Sequence, residues 1–144
     1  MYMSKNEYSN IKERSLKIMN LLKTLKALSH LNRIRIVNLL SHKELCVCEL
    51  EKIMGLNQSN VSRDLGKLQE ADLILREKKA QWVYYKINEK PFNKHKFLQN
   101  ILNEELKENS DCKEDIMKLE KYLISDISCK DLTDNNSNIF ETKL

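Results

Sequence analysis

The sequence is poor in the residues that break helices and shape tight turns: Gly55, Gly66 and Pro91 are all it has of glycine and proline in 144 residues. An extensive sheet joined by many turns is therefore excluded, and long helices are favoured. No apolar run approaches the roughly 18 residues that a bilayer-spanning helix needs, so no membrane partner is expected. The opening stretch MYMSKNEYSN lacks the basic-then-apolar layout of a signal peptide, which makes the cytoplasm the expected compartment. Catalytic sets are missing too. Thiol enzymes with a phosphate-cradling loop place Arg six residues after Cys, and the four such positions hold Lys52, Met54, Lys118 and Asn135. His30, His42 and His95 build no Ser/His/acid set or metal-hydrolase pattern. A thiol-dependent enzyme is the remotest reading, and no organic cofactor is expected.

What is present is one domain's length of chain with an uneven charge. The formal net charge is +4, but residues 1–43 carry nine basic against two acidic groups, while residues 91–144 carry eight against eleven. A basic amino-terminal part suits a polyanion, and equally a solvated helix face. Cys46, Cys48, Cys112 and Cys129 in a thiol-reducing compartment read as free thiols, metal ligands or redox groups rather than disulfides.

Residues 1–10 are polar and expected to be flexible. Ile18, Leu21, Leu22, Leu25 and Leu28 then mark a first helix, and Ser29 can cap a second whose apolar face is Ile34, Val37 and Leu40. A short third helix lies between Leu45 and Met54 and stops at Gly55. Asn57 caps a fourth, in which Val61, Leu65 and Leu68 face inward. The branched and aromatic stretches from Leu73 to Arg76 and from Gln81 to Ile87 form a two-stranded hairpin. After Pro91, Phe97, Leu98, Ile101, Leu102 and Leu106 define a fifth helix. Asp111 with Glu114 resembles a capping pair for a last helix carrying Ile116, Leu119, Leu123 and Ile127. The organisation expected is a flexible 1–10, a DNA-binding and dimerisation domain over 11–108, a C-terminal helix over 109–129 and a disordered tail over 130–144.

Two short helices joined through a Gly-containing turn, then a hairpin, is the order of a helix-turn-helix followed by a wing. The fold class expected is mainly α, a winged helix-turn-helix with a two-stranded wing. The broad apolar faces of the first and fifth helices predict a homodimer. Gln58, Ser59, Asn60, Ser62, Arg63 and Lys67 give the fourth helix a polar face suited to base edges in a major groove of double-stranded DNA. Lys78 and Lys79, near the hairpin tip, suit phosphates. Trp82, Tyr84 and Tyr85 are assigned to packing.

Cys46 and Cys48 flank a single residue, and thiolates select soft metals and metalloids. In a regular helix, residues two apart point roughly 200° away from each other. A shared ligand is therefore expected to require an unwound start to the third helix, which braces the fourth. That would make a two-state element biased by the ligand. The competing readings are small buried apolar residues and a redox switch that uses no metal.

Over about residues 22–87 the chain resembles the ArsR/SmtB family of metalloregulatory repressors. The resemblance lies in Lys26-Ala27-Leu28-Ser29 with Arg33, in Glu44-Leu45-Cys46-Val47-Cys48-Glu49-Leu50, in Asn57-Gln58-Ser59-Asn60-Val61-Ser62-Arg63-Asp64-Leu65 and in Trp82-Val83-Tyr84-Tyr85. It implies a dimeric winged-helix repressor that leaves its operator when thiolates at Cys46 and Cys48 bind arsenite, antimonite or another soft metal. The arsenic-sensing members most like this segment have a third cysteine where this chain has Glu51, so the candidate third ligand becomes Cys112 or Cys129, from the same subunit or the partner, or a small cellular thiol. No cysteine precedes Cys46, unlike cadmium- and lead-sensing relatives, and only His95 stands in the zinc-type position. Asp64 replaces the family's usual His, which would place an anion near DNA, and Lys79-Ala80 stands where Gly is common in the wing.

Overall fold

Ser4 starts the first helix earlier than its polar sequence suggests, because Ser4 and Glu7 form a reciprocal cap. Glu7 N donates to Ser4 Oγ at 3.2 Å and Ser4 N donates to Glu7 Oε2 at 2.9 Å. The computed structural model describes residues 2–134. Helix α1 (Lys5–Leu28) thus takes in most of the segment expected to be flexible. It buries only Ala27 and Leu28, and Ile18, Leu21, Leu22 and Leu25 stay exposed along it.

Helix α2 (Leu31–His42) follows, with His30 and not Ser29 at its cap position; Ser29 Oγ instead donates to Lys26 O at 2.7 Å and closes α1. Strand β1 (Leu45–Cys46) leads directly into α3 (Val47–Met54). Gly55 ends α3 with φ 67°, a left-handed conformation that costs glycine no side-chain strain. Helix α4 (Gln58–Glu70) begins at Asn57, whose Oδ1 accepts from Asn60 N at 2.9 Å. Val61, Leu65 and Leu68 of α4 are fully buried, as are Ile36 and Leu39 of α2 and Leu50 and Ile53 of α3. This shared core orients α4 against α2 and α3, and the whole is a winged helix-turn-helix.

The sheet has one strand more than expected. Strands β2 (Ile74–Lys79) and β3 (Trp82–Ile87) form the antiparallel wing, and β1 adds to the other edge of β3, giving the order β1-β3-β2. Leu45 lies opposite Tyr85 and Cys46 opposite Tyr84. The wing turns through Ala80, which takes φ 54° where glycine would be unstrained.

Beyond the wing come α5 (Glu89–Lys94) and a rod built from α6 (Lys96–Asn100), a π-helical turn (Ile101–Glu105) and α7 (Leu106–Glu108). Helix α8 (Ser110–Ile124) is capped by Asn109, which accepts from Cys112 N at 3.0 Å, and not by the Asp111–Glu114 pair. The C-terminal helix expected over 109–129 stops early: Asp126 turns the chain with φ 56°, and α9 (Cys129–Asp134) follows. Ser128 and Asp131 start α9, Ser128 N donating to Asp131 Oδ2 at 2.8 Å. Residues 130–134, expected in the disordered tail, are therefore helical, with Leu132 buried; residues 135–144 of that tail lie outside the described residues.

A partly buried fork, with Asp115 buried and Arg35 half-buried, holds the C-terminal helices to the domain. Arg35 Nε donates to Asp115 Oδ2 at 2.8 Å and its Nη2 to Asp115 Oδ1 at 2.9 Å, while Nη2 also reaches Met54 O at 3.0 Å. Helix α2, the end of α3 and α8 meet at this one guanidinium. Among the described residues no helix is long and apolar enough to cross a membrane.

Candidate metal centre and nucleic-acid interface

Cys46 is the last residue of β1 and the cap of α3, with extended φ −89° and ψ 171°; Cys48 is the second residue of the helix. Because the pair straddles the helix boundary, its sulfurs lie on one side, 2.9 Å apart. The expectation that a shared ligand requires an unwound helix is corrected: α3 starts after Cys46, and no residue of the helix has to leave it.

A third sulfur joins them. Cys129, the first residue of α9, brings its Sγ within reach of both Cys46 and Cys48, so that all three ligand atoms lie within 4.8 Å of one another. One sulfur forms one disulfide bond, so pairing of Cys129 with Cys46 and with Cys48 are alternatives. The Cα separations distinguish them: 7.4 Å for Cys46–Cys129 exceeds the usual span of a disulfide, whereas 6.4 Å for Cys48–Cys129 falls inside it. Cys46 and Cys129 are buried and Cys48 is half-buried, which leaves an approach from one side. Among the described residues this is the one group of three that could hold a metal ion.

The surroundings of the sulfurs are built by residues the sequence reading did not single out. Glu49 is buried and its Oε1 accepts from Cys46 N at 2.9 Å. The spacing Cys46-x-x-Glu49 is that of a capping box, and this signal could have identified it. Tyr122 of α8 is buried beside the same carboxylate, and burial, with that carboxylate adding to it, holds its phenol well above the usual range. Helix α8 is thereby tied to the base of the thiol pair. Glu51 does not join the group; partial burial raises its pKa.

Cys112 stands apart. It is buried on α8 beside Asp115, and burial, with the neighbouring carboxylate adding to it, pushes its thiol up to about 11. It is not among the converging sulfurs. His95 caps α6 in an exposed position 5.7 Å from the Phe97 ring and has no place in the group either.

On the recognition side, Gln58, Ser59, Ser62, Arg63 and Lys67 are exposed on one face of α4, and Asn60 is half-buried. Arg63 Nη2 donates to Asn60 Oδ1 at 3.0 Å, which holds the guanidinium along the helix. Lys67 pairs with Glu70 at 3.7 Å. Asp64 does not join this face. It is buried, 3.5 Å from Arg33 Nη1, so the anion expected near DNA points into the protein. Arg33 also donates to Ala27 O at 2.6 Å and Lys26 O at 3.0 Å, linking α4 to the end of α1. Lys78 and Lys79 are exposed on the wing. Lys79 forms an ion pair with Glu44 and lies 5.7 Å from the centre of the Tyr84 ring.

Residues 31–75 match a family model described as bacterial regulatory protein, arsR family. The chain is similar to the arsenic resistance transcriptional regulator ArsR1 of Pseudomonas putida, with 41% identity over 64 residues, covering 44% of this chain and 50% of that protein. It is also similar to ArsR2 of the same organism, with 40% identity over 79 residues, covering 54% of this chain and 69% of that protein. The chain thus spans about half the length of the first of these relatives and about two thirds of the second. Among solved structures, the transcriptional regulator HlyU from Vibrio vulnificus superposes with a TM-score of 0.51 at 30% identity, covering 65% of this chain and 98% of that one.

Proposed function

The chain belongs to the arsR family of bacterial regulatory proteins, and on that premise we propose that it is a cytoplasmic transcriptional repressor whose DNA binding is released by arsenite or antimonite. The observation that carries the proposal is the convergence of the Cys46, Cys48 and Cys129 sulfurs. Three thiols suit trivalent arsenic and antimony, which are soft and three-coordinate. They exchange for the three hydroxides of arsenous acid with release of three waters and no net proton, so a buried site gains no charge. The relatives named for arsenic resistance support the same ligand.

DNA is read by Gln58, Ser59, Asn60, Ser62, Arg63 and Lys67 in the major groove, with Lys78 and Lys79 on phosphates. A homodimer forms through α1, whose apolar stripe is otherwise in water. Because the third sulfur belongs to α9, ligand binding fastens α9 to the start of α3. Helix α3 packs on α4, and the ligand therefore acts on the brace of the recognition helix rather than by melting it.

A gel-shift titration tests this. The parent protein should release operator DNA as arsenite rises, and the Cys46→Ser, Cys48→Ser protein should bind DNA and ignore arsenite; equal responses of the two would remove the metalloid from the reading. One observation favours a second reading: the Cα separation of Cys48 and Cys129 suits a disulfide. Peroxide would then take two electrons and two protons from these thiols, forming the S–S bond and water. Release by peroxide with no arsenite binding to the reduced protein would select it.

A further inference from the structure

The thiol centre shares a sheet with the wing, and one ion pair spans the two. Glu44 immediately precedes β1, whose Cys46 is a candidate ligand and lies in register with Tyr84 of β3. The Lys79 ammonium pairs with Glu44 and lies over the Tyr84 ring. Both groups that hold Lys79 are therefore attached to the thiol centre: Glu44 by two residues of chain, Tyr84 by the β1–β3 ladder. Glu77, the other carboxylate close to Lys79, is paired with Lys86 at 3.2 Å. Lys79 is also raised in pKa, chiefly by its bond to Glu44, and stays an ammonium. Its pair with Glu44 is exposed enough for a phosphate to displace the carboxylate.

We infer that Glu44 is a positioning residue for the wing: its carboxylate competes with a DNA phosphate for Lys79, and metalloid binding at the thiols favours the Glu44-held state. This deepens the proposed function and rests on it. In the conformation described, the three sulfurs are together and Lys79 is held, so closure of the centre and withdrawal of the wing cation occur in one state. A ligand that fastens Cys46 in that state weights it over one in which β1 shifts and Lys79 reaches phosphate. Glu44 acts through Lys79 and touches neither the metalloid nor the DNA.

The salt dependence of operator binding gives a readout that a merely structural role would not move, because each phosphate contact contributes a slope of about −0.9 to log affinity against log salt. Glu44→Gln should bind operator DNA more tightly and steepen the slope by up to about 0.9 per protomer, according to how far Glu44 keeps Lys79 off phosphate in the parent. Arsenite should still bind the reduced Glu44→Gln protein with the parent's affinity, yet cause a severalfold smaller loss of DNA affinity. In a Lys79→Gln background the same substitution should leave the slope unchanged, which separates a specific pair from the general loss of a negative charge. A slope for Glu44→Gln equal to the parent's overturns the competition. A steeper slope with an undiminished arsenite response overturns the coupling. Failure of the proposed function is distinct, since there the parent itself would not release DNA on adding arsenite.

Discussion

Replacing Cys129 by Ser removes the one candidate ligand that comes from outside the Cys46–Cys48 segment, and the geometry sets the scale of what that costs. A sulfur confined within 4.8 Å of the other two is one thiol in a sphere of about 460 Å³, an effective concentration of about 4 M. A free monothiol at about 1 mM, offered as a substitute third ligand, is about four-thousandfold more dilute, equivalent to about 5 kcal/mol of chelate advantage. That figure holds if α9 is already docked, as burial of Cys129 and Leu132 indicates. If α9 must first be ordered, the effective concentration falls towards the millimolar level of a flexible tether, and the advantage falls with it. Arsenite affinity, followed by ultraviolet absorption of the sulfur–arsenic bonds, should therefore be lower in Cys129→Ser than in the parent by up to about three and a half orders of magnitude at about 1 mM monothiol, and the gap should narrow as more monothiol is added. Cys112→Ser serves as the control and should bind as the parent does. Equal arsenite affinities for the parent and Cys129→Ser in thiol-free buffer would refute the three-sulfur site, leaving the convergence as packing.

Asp115→Ala should lower unfolding stability by about 1.5–3 kcal/mol in urea melts, because it takes two charge-assisted hydrogen bonds from the half-buried Arg35 guanidinium; a loss under about 1 kcal/mol would mean that Asn32, Met54 O and water satisfy Arg35 unaided. Cys112 should be alkylated last of the four cysteines, its raised pKa leaving a thiolate fraction at pH 8 about a hundredfold below that of an ordinary thiol. The rate should climb as pH rises towards about 11, where the buried thiol ionises; modification of Cys112 at the pace of Cys48 would contradict its burial.

Helix positions and the order of elements were legible because three- and four-residue spacing of Leu, Ile and Val dictates which faces are buried: Val61, Leu65 and Leu68 are all at zero exposure. Gly55 and Asn57 marked the turn between α3 and α4 through backbone conformation and capping, both of which are local. What escaped the sequence were long-range pairings. Nothing near Asp64 in the sequence names Arg33, 31 residues away, as its partner, and so a buried anion was assigned to the DNA face. The extra strand was missed because Leu45–Cys46 is two residues long and has no alternation to read. Cys129 could be named only as one of two candidates, since its place depends on the turn at Asp126 that breaks what the apolar stripe suggested was one helix.

The same two-residue strand explains why the two thiols converge as the proposed chelate requires. If α3 began one residue earlier, Cys46 and Cys48 would both be helical, and their side chains would diverge by roughly 200°. Pairing of Cys46 with Tyr84 keeps Cys46 extended, and Glu49, accepting from Cys46 N, fixes the helix start at the next residue. The ladder to β3 is thus a condition of sulfur convergence, not an accessory to it. From this it follows that the wing and the thiol centre cannot be altered independently. A change that loosens β1 from β3 lets Cys46 turn helical and opens the site, and a ligand that holds Cys46 beside Cys48 keeps β1 in the sheet.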